Sequence, residues 1–139
     1  DEPEMVRGQR VLVVEDGPTI THGGMPYGAG YVASKAAGAT QMVDPRDFAG
    51  GEIADLYRNY PHIESVLPAV GYSQSQLGAL REAINATPAD AIVSATPCDL
   101  SQLIELNKPV VRARYEFADA DDPGLRGVIE TFLRDQKLA

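Results

Sequence analysis

The sequence predicts an α/β domain of three layers: a mainly parallel, four-stranded sheet with helices on both faces. Three observations carry that reading. Short unbroken apolar runs, led by VLVV at residues 11–14, are the mark of strands buried on both sides. Between successive runs lies enough chain for a helical crossover, with apolar residues at helical spacing. Strand and helix patterns then alternate along the chain. At 139 residues and 44% hydrophobic, the chain suits one domain with a real core.

Residues 1–9 are polar and aperiodic and read as a linker or lead-in, leaving 10–139 as a single α/β domain. The first strand is expected at about 10–15. Residues 16–30 hold five glycines and two prolines, which predicts a long loop. A short Ala-rich helix at 31–37 closes on Gly38, and a second strand spans about 40–44. Ile53, Leu56, Tyr57 and Tyr60 mark one face of a helix at 50–60, and the two prolines of 61–72 predict an irregular connection. Ser73 and Gln76 stand in capping-box spacing for the helix that follows. A third strand is expected at 90–95, a short helix at 100–106 and a fourth strand at 109–116. Asp122 and Pro123 are in N-cap and N1 order for a last helix that buries Leu125, Val128, Ile129, Phe132 and Leu133.

The charge balance, 12 Lys+Arg against 20 Asp+Glu, argues against nucleic acid, which needs clustered cations. The single cysteine, Cys98, excludes an intrachain disulfide framework and fits a reducing cytoplasm. No apolar run approaches the roughly 18 residues of a membrane span, and the acidic start is no signal peptide.

Ligands of open α/β sheets bind beyond the carboxyl ends of the strands. Four places qualify: Glu15–Asp16 with the loop that follows, Asp44–Arg46, Thr96–Asp99, and 112–116. Glu15 and Asp16 suit Mg²⁺, which takes one or two carboxylates plus substrate phosphates and water. Alternatively, one caps a loop and the other is solvated. Gly17, Thr19, Gly23 and Gly24 belong to a loop whose backbone N–H groups could approach an anion. His22 is a candidate proton donor or phosphate contact, or a plain exposed histidine. Asp99 has the spacing of a helix cap with Gln102 and, alternatively, of a base-reading carboxylate. Arg112 and Arg114 alternate on the last strand, toward an anionic substrate or toward acids such as Glu116. No GxxxxGK[ST] pattern occurs.

The blocks VLVVEDGPTITHGG, VDPR, YPHIESVLPAVGYS and ATPCDLSQLIELNKPVVRARYE resemble cyclic 2,3-diphosphoglycerate synthetase and related predicted GTPases over about residues 10–117. The resemblance implies a Rossmann-like half of a P-loop NTPase-like enzyme that uses ATP or GTP. It implies Glu15 and Asp16 as a Walker-B-like metal pair and puts Asp99 where GTPases carry a base-reading Asp. With the residue reading above, the candidates are Asp16 and His22 as catalytic groups, and Gly17, Thr19, Gly23, Gly24, Thr96, Asp99 and Arg112 around the nucleotide or a small phosphorylated substrate. It further implies an upstream P-loop region on this chain or another, and leaves room for a homo-oligomer. Two functions follow as expectations: part of a nucleotide-dependent ligase, silent by itself, or a non-catalytic anion-binding or assembly module.

Overall fold

The computed structural model describes residues 1–115 and 118–137. Strand β1, Arg10–Asp16, is the hub of the sheet, and its Val11, Leu12, Val13 and Val14 are fully buried. It runs directly into α1 (Gly17–Gly23), followed by α2 (Ala29–Ala36), β2 (Gln41–Met42), α3 (Gly51–Asn59) and β3 (Leu67–Ala69). Then come α4 (Gln74–Ala86), β4 (Ala91–Ser94), α5 (Leu100–Leu103), β5 (Val110–Arg112) and α6 (Gly124–Asp135).

All pairings are parallel, in the order β2-β1-β4-β5, with β3 also on β1. One side of β1 pairs along Val11–Val14 with β4. Its other side is divided: Arg10 and Val11 take β2, and Val14, Glu15 and Asp16 take β3. Successive side chains of β1 therefore serve two cores. Leu12 and Val14 pack with Ile53 of α3, Leu80 and Ile84 of α4 and Leu100 of α5. Val11 and Val13 pack with Ile20 of α1, Ile63 and Val66, with Tyr31 of α2 at the margin. This is the expected three-layer α/β architecture. The capping box of α4 forms, with Ser73 Oγ accepting from Gln76 N–H and the Gln76 side chain accepting from Ser73 N–H.

The structure corrects five expectations. Among the described residues the sheet has five strands, because Leu67–Ala69 pairs with β1 inside the supposed irregular connection. Pro68 is tolerated there since β3 lies at an edge, where one missing N–H costs no ladder bond. The long loop of 16–30 contains α1, with Pro18 in its first turn and Gly24 closing it at φ 67°. Strand β2 shortens to two residues, α5 ends at Leu103, and β5 ends at Arg112; the end of the expected strand, at Glu116, lies outside the described residues. Helix α6 starts at Gly124, and Asp119 rather than Asp122 accepts a backbone hydrogen bond, from Leu125 N–H at 2.7 Å.

The fifth correction concerns burial. Helix α6 buries none of its residues: Leu125, Val128, Ile129 and Phe132 are exposed, and Leu133 is half-buried. In contrast, the lead-in packs against the domain. Val6 joins the second core, and the Asp1 ammonium donates to the Arg112 carbonyl at 2.7 Å. No helix among the described residues is long and apolar enough to cross a membrane.

Candidate functional site

The tip of β1 sets two neighbouring carboxylates in opposite surroundings. Glu15 is 1% exposed. Its Oε1 accepts from Gly30 N–H at 2.7 Å, and its Oε2 accepts from Tyr31 N–H at 3.2 Å and from Gly28 N–H. These donors are N–H groups at the start of α2, which have no partner within the helix. Burial pushes the Glu15 carboxyl above its ordinary value, with a contribution from the Asp16 charge, while the three N–H bonds pull the other way. A β-carbon at Gly30 would lie 2.6 Å from Glu15 Oε1, so the glycine is what lets this backbone approach. Gly17 meets a similar limit, since a β-carbon there would run into the Ala69 carbonyl and the Val70 side chain.

Asp16 is only half-buried, and its Oδ2 accepts from the Thr19 hydroxyl at 2.9 Å. Beside it lies a cavity of about 190 Å³, lined by Glu15, Asp16, Thr19 and Gly28 on one side and by Ala95 and Tyr115 on the other. The chain leaves β1 toward β2 on one side of the sheet, whereas β4 lies on the other. The cavity therefore occupies the point where strand order reverses, the place such sheets use for ligands. An adjoining cavity of about 260 Å³ shares Ala95 and Tyr115 and adds Thr96, Arg112 and Arg114.

Around this second hollow, Thr96 is buried and its Oγ1 lies 3.4 Å from the Tyr72 hydroxyl. A hydrogen bond with Cys98 is the main influence raising the Tyr72 phenol, opposed by the Thr96 hydroxyl and aided by burial and by the charge of Asp16. Arg112 donates through Nη2 to the Pro97 carbonyl at 3.0 Å, which ties the 96–99 loop to β5. Asp99 caps α5, accepting from Ser101 N–H at 3.2 Å and Ser101 Oγ at 2.6 Å. The Ser101 hydroxyl is the largest influence holding the Asp99 carboxyl below its ordinary value. Arg114 pairs with Asp1 at 2.9 Å, and Glu116, its expected partner, lies outside the described residues.

The fold thus gathers Glu15, Asp16, Gly17, Thr19, Thr96 and Arg112 at the carboxyl end of the sheet, with Asp99 just beyond it. His22, Gly23 and Gly24 do not join them. They are exposed at the far end of α1, about 10 Å along a seven-residue helix from Asp16. There His22 Nδ1 lies 2.9 Å from the Thr21 hydroxyl. Asp44 is taken up by Arg46, whose Nη2 lies 2.6 Å from Asp44 Oδ2. Among the described residues, no group of three or more His, Cys, Asp or Glu is gathered to hold a metal ion. Tyr72 and Tyr115 lie in segments the sequence singles out, but it assigns neither a role. Tyr72 follows the strand that Pro68 disguises, and an aromatic residue three positions past Arg112 carries no periodic signal.

A larger depression, about 820 Å³, lies at the opposite end of the sheet beside Asn85 and residues 101–108. Its one cation is already engaged: Lys108 Nζ donates to the Ile84 and Asn85 carbonyls at 2.9 and 3.2 Å, closing the end of α4. The smaller cavity at the β1–β4 junction is the candidate site.

Over 135 residues, 97% of its length, the chain is 50% identical to an arginine synthetase (ArcE) of Thermococcus kodakarensis. The chain spans 30% of that enzyme's length. No family model and no solved structure matches the chain.

Proposed function

We propose that this chain is one portion of a nucleotide-dependent synthetase of the arginine-forming kind, and that it supplies the Asp16 edge of the nucleotide or phosphorylated-intermediate site. The observation that carries the reading is the convergence of Asp16–Thr19, Thr96–Tyr72 and Arg112 at the β1–β4 switch point. The 50% identity to a synthetase supports it. The resemblance to cyclic 2,3-diphosphoglycerate synthetase points likewise to a synthetase, with a different substrate.

In this reading the two acids divide the work. Glu15 has both oxygens engaged by backbone donors, so its task is positioning: it fixes the start of α2 against the tip of β1. Asp16 keeps a carboxylate at the cavity, and with Thr19 it would hold Mg²⁺ from the protein side, the phosphates and water completing the shell. Bound there, the cation would supply charge neutralisation at the phosphates. Thr96 and Tyr72 would donate hydroxyl hydrogen bonds to a phosphoryl or carboxylate oxygen, and Arg112 would hold the 96–99 loop in register. A phosphate cradle of the GxxxxGK[ST] type is absent from the sequence, so the cradle would come from the rest of the enzyme. The isolated chain is accordingly expected to release no phosphate from ATP or GTP.

The test is a chimera in which this chain replaces the matching segment of the Thermococcus synthetase. Nucleotide-dependent arginine formation is expected, falling at least about a hundredfold with Asp16→Asn, the usual scale for one electrostatic contact to the transition state. His22→Ala is expected to change it less than about threefold. Product from 2,3-diphosphoglycerate instead of arginine would move the substrate reading to the other synthetase. A folded chimera indifferent to Asp16→Asn would favour the assembly-module function.

A further inference from the structure

Helix α6 carries an amphipathic stripe that the other described residues do not bury. Leu125, Val128, Ile129 and Phe132 recur at helical spacing, and each is about half exposed or more, while Arg126, Glu130 and Arg134 occupy the remaining surface. Single exposed apolar residues are ordinary, but four on one helix face mark an interaction surface. The helix follows β5, the last strand in the sheet order, whose outer side has no strand partner among the described residues. A helix after a parallel strand normally buries its stripe as the crossover to a further strand beside it. Here the helix is present, and no cover for its stripe lies among the described residues.

The length of the relative indicates what covers it. The alignment takes in 97% of this chain, so it must include α6, yet it accounts for only 30% of the synthetase. We propose that the apolar stripe of α6 is the docking face for the part of the synthetase that this chain does not contain. This rests on the reading of the chain as one portion of such an enzyme, but it concerns α6, none of whose residues lines the cavity at Asp16.

Thiol labelling tests the face without relying on turnover. Val128→Cys, Phe132→Cys and, on the opposite surface, Arg134→Cys are made in the isolated chain and in the chimera, with labelling read by peptide mass so that Cys98 is scored separately. The expected result is labelling at least tenfold slower at 128 and 132 in the chimera than in the isolated chain, with 134 changed less than twofold. Equal labelling of 128 and 134 in the chimera overturns the proposal, and if that chimera also makes arginine the functional reading stands without it. Protection already present in the isolated chain, accompanied by a doubled mass in solution, overturns it in favour of a second copy. Phe132→Asp in the isolated chain gives an independent check should the chimera fail to fold. Its thermal midpoint is expected to stay within about 2 °C of the parent, and a drop several times larger would mean that α6 packs on its own domain.

Discussion

The tip of β1 and helix α6 invert the usual partition of residues. At the first, a carboxylate is 1% exposed; at the second, Phe132 is 59% exposed. Pattern alone assigns them the other way, with acids at the strand tip open to a ligand and the apolar stripe in the core. The difference lies in what the fold supplies to each. Glu15 is met by three N–H groups at the start of α2, so its oxygens lose water and keep hydrogen bonds. Phe132 is met by nothing comparable among the described residues. Burial follows available partners, and polarity by itself does not decide it.

The comparison breaks if Glu15 proves dispensable. Glu15→Ala leaves three backbone donors without their acceptor and is expected to destabilise the chain by about 3 kcal/mol in urea unfolding, as for other broken buried networks. A loss below about 1 kcal/mol would mean that water replaces the carboxylate easily. The neighbouring substitution should behave oppositely. Asp16→Asn is expected to shift stability by no more than about 0.5 kcal/mol, the range of surface changes, while producing the activity loss in the chimera described above. Similar stability effects at both positions would erase the division of labour between them.

Titration sharpens the same contrast. Burial raises the Glu15 carboxyl in the folded state, so the unfolded chain gives up this proton first. Between the ordinary glutamate value of 4.5 and the raised one, the folded state binds more protons, and the contribution of Glu15 to stability falls as pH rises. Asp44, lowered chiefly by Arg46, has the opposite sign and loses its contribution as pH falls below its ordinary 3.8. Comparing Glu15→Gln with the parent across pH 4.5 to 7.5 isolates the first group: the parent should lose stability relative to the variant as pH rises. A difference that does not change with pH would remove the buried charge from the account. The smallest effect is expected at α6. Phe132→Ala should cost less than about 0.5 kcal/mol in the isolated chain, against about 3–5 for a buried phenylalanine.

Much of the fold was legible because its signals are local. The unbroken VLVV run, the Ser73–Gln76 box and the long separations between strands require β1, α4 and a parallel sheet. Strand β3 was hidden because its three residues include a proline, and only its position at an edge makes that harmless. Helix α1 was hidden because Gly17 and Gly24 look like loop residues, whereas one serves close packing and the other a left-handed helix end. At the site, the choice of strand-end residues identified Asp16, Thr19, Thr96 and Arg112 as neighbours. It could not separate the roles of Glu15 and Asp16, since adjacent acids differ only in which face of the strand they occupy. Nor could it reject His22, because its distance from Asp16 depends on α1 being a helix.

The hub position of β1 also has a consequence for how the protein is made. Its partners lie at 41–42, 67–69 and 91–94, so none of its pairings is local. Roughly 80 residues separate the end of β1 from the end of β4, which at ~5–20 residues/s is several seconds of translation. Through that interval the wholly apolar VLVV segment exists while its central neighbour is not yet synthesised. The same strand that ends as the most protected part of the sheet is, in the nascent chain, its most aggregation-prone segment and the natural ligand for a holding chaperone.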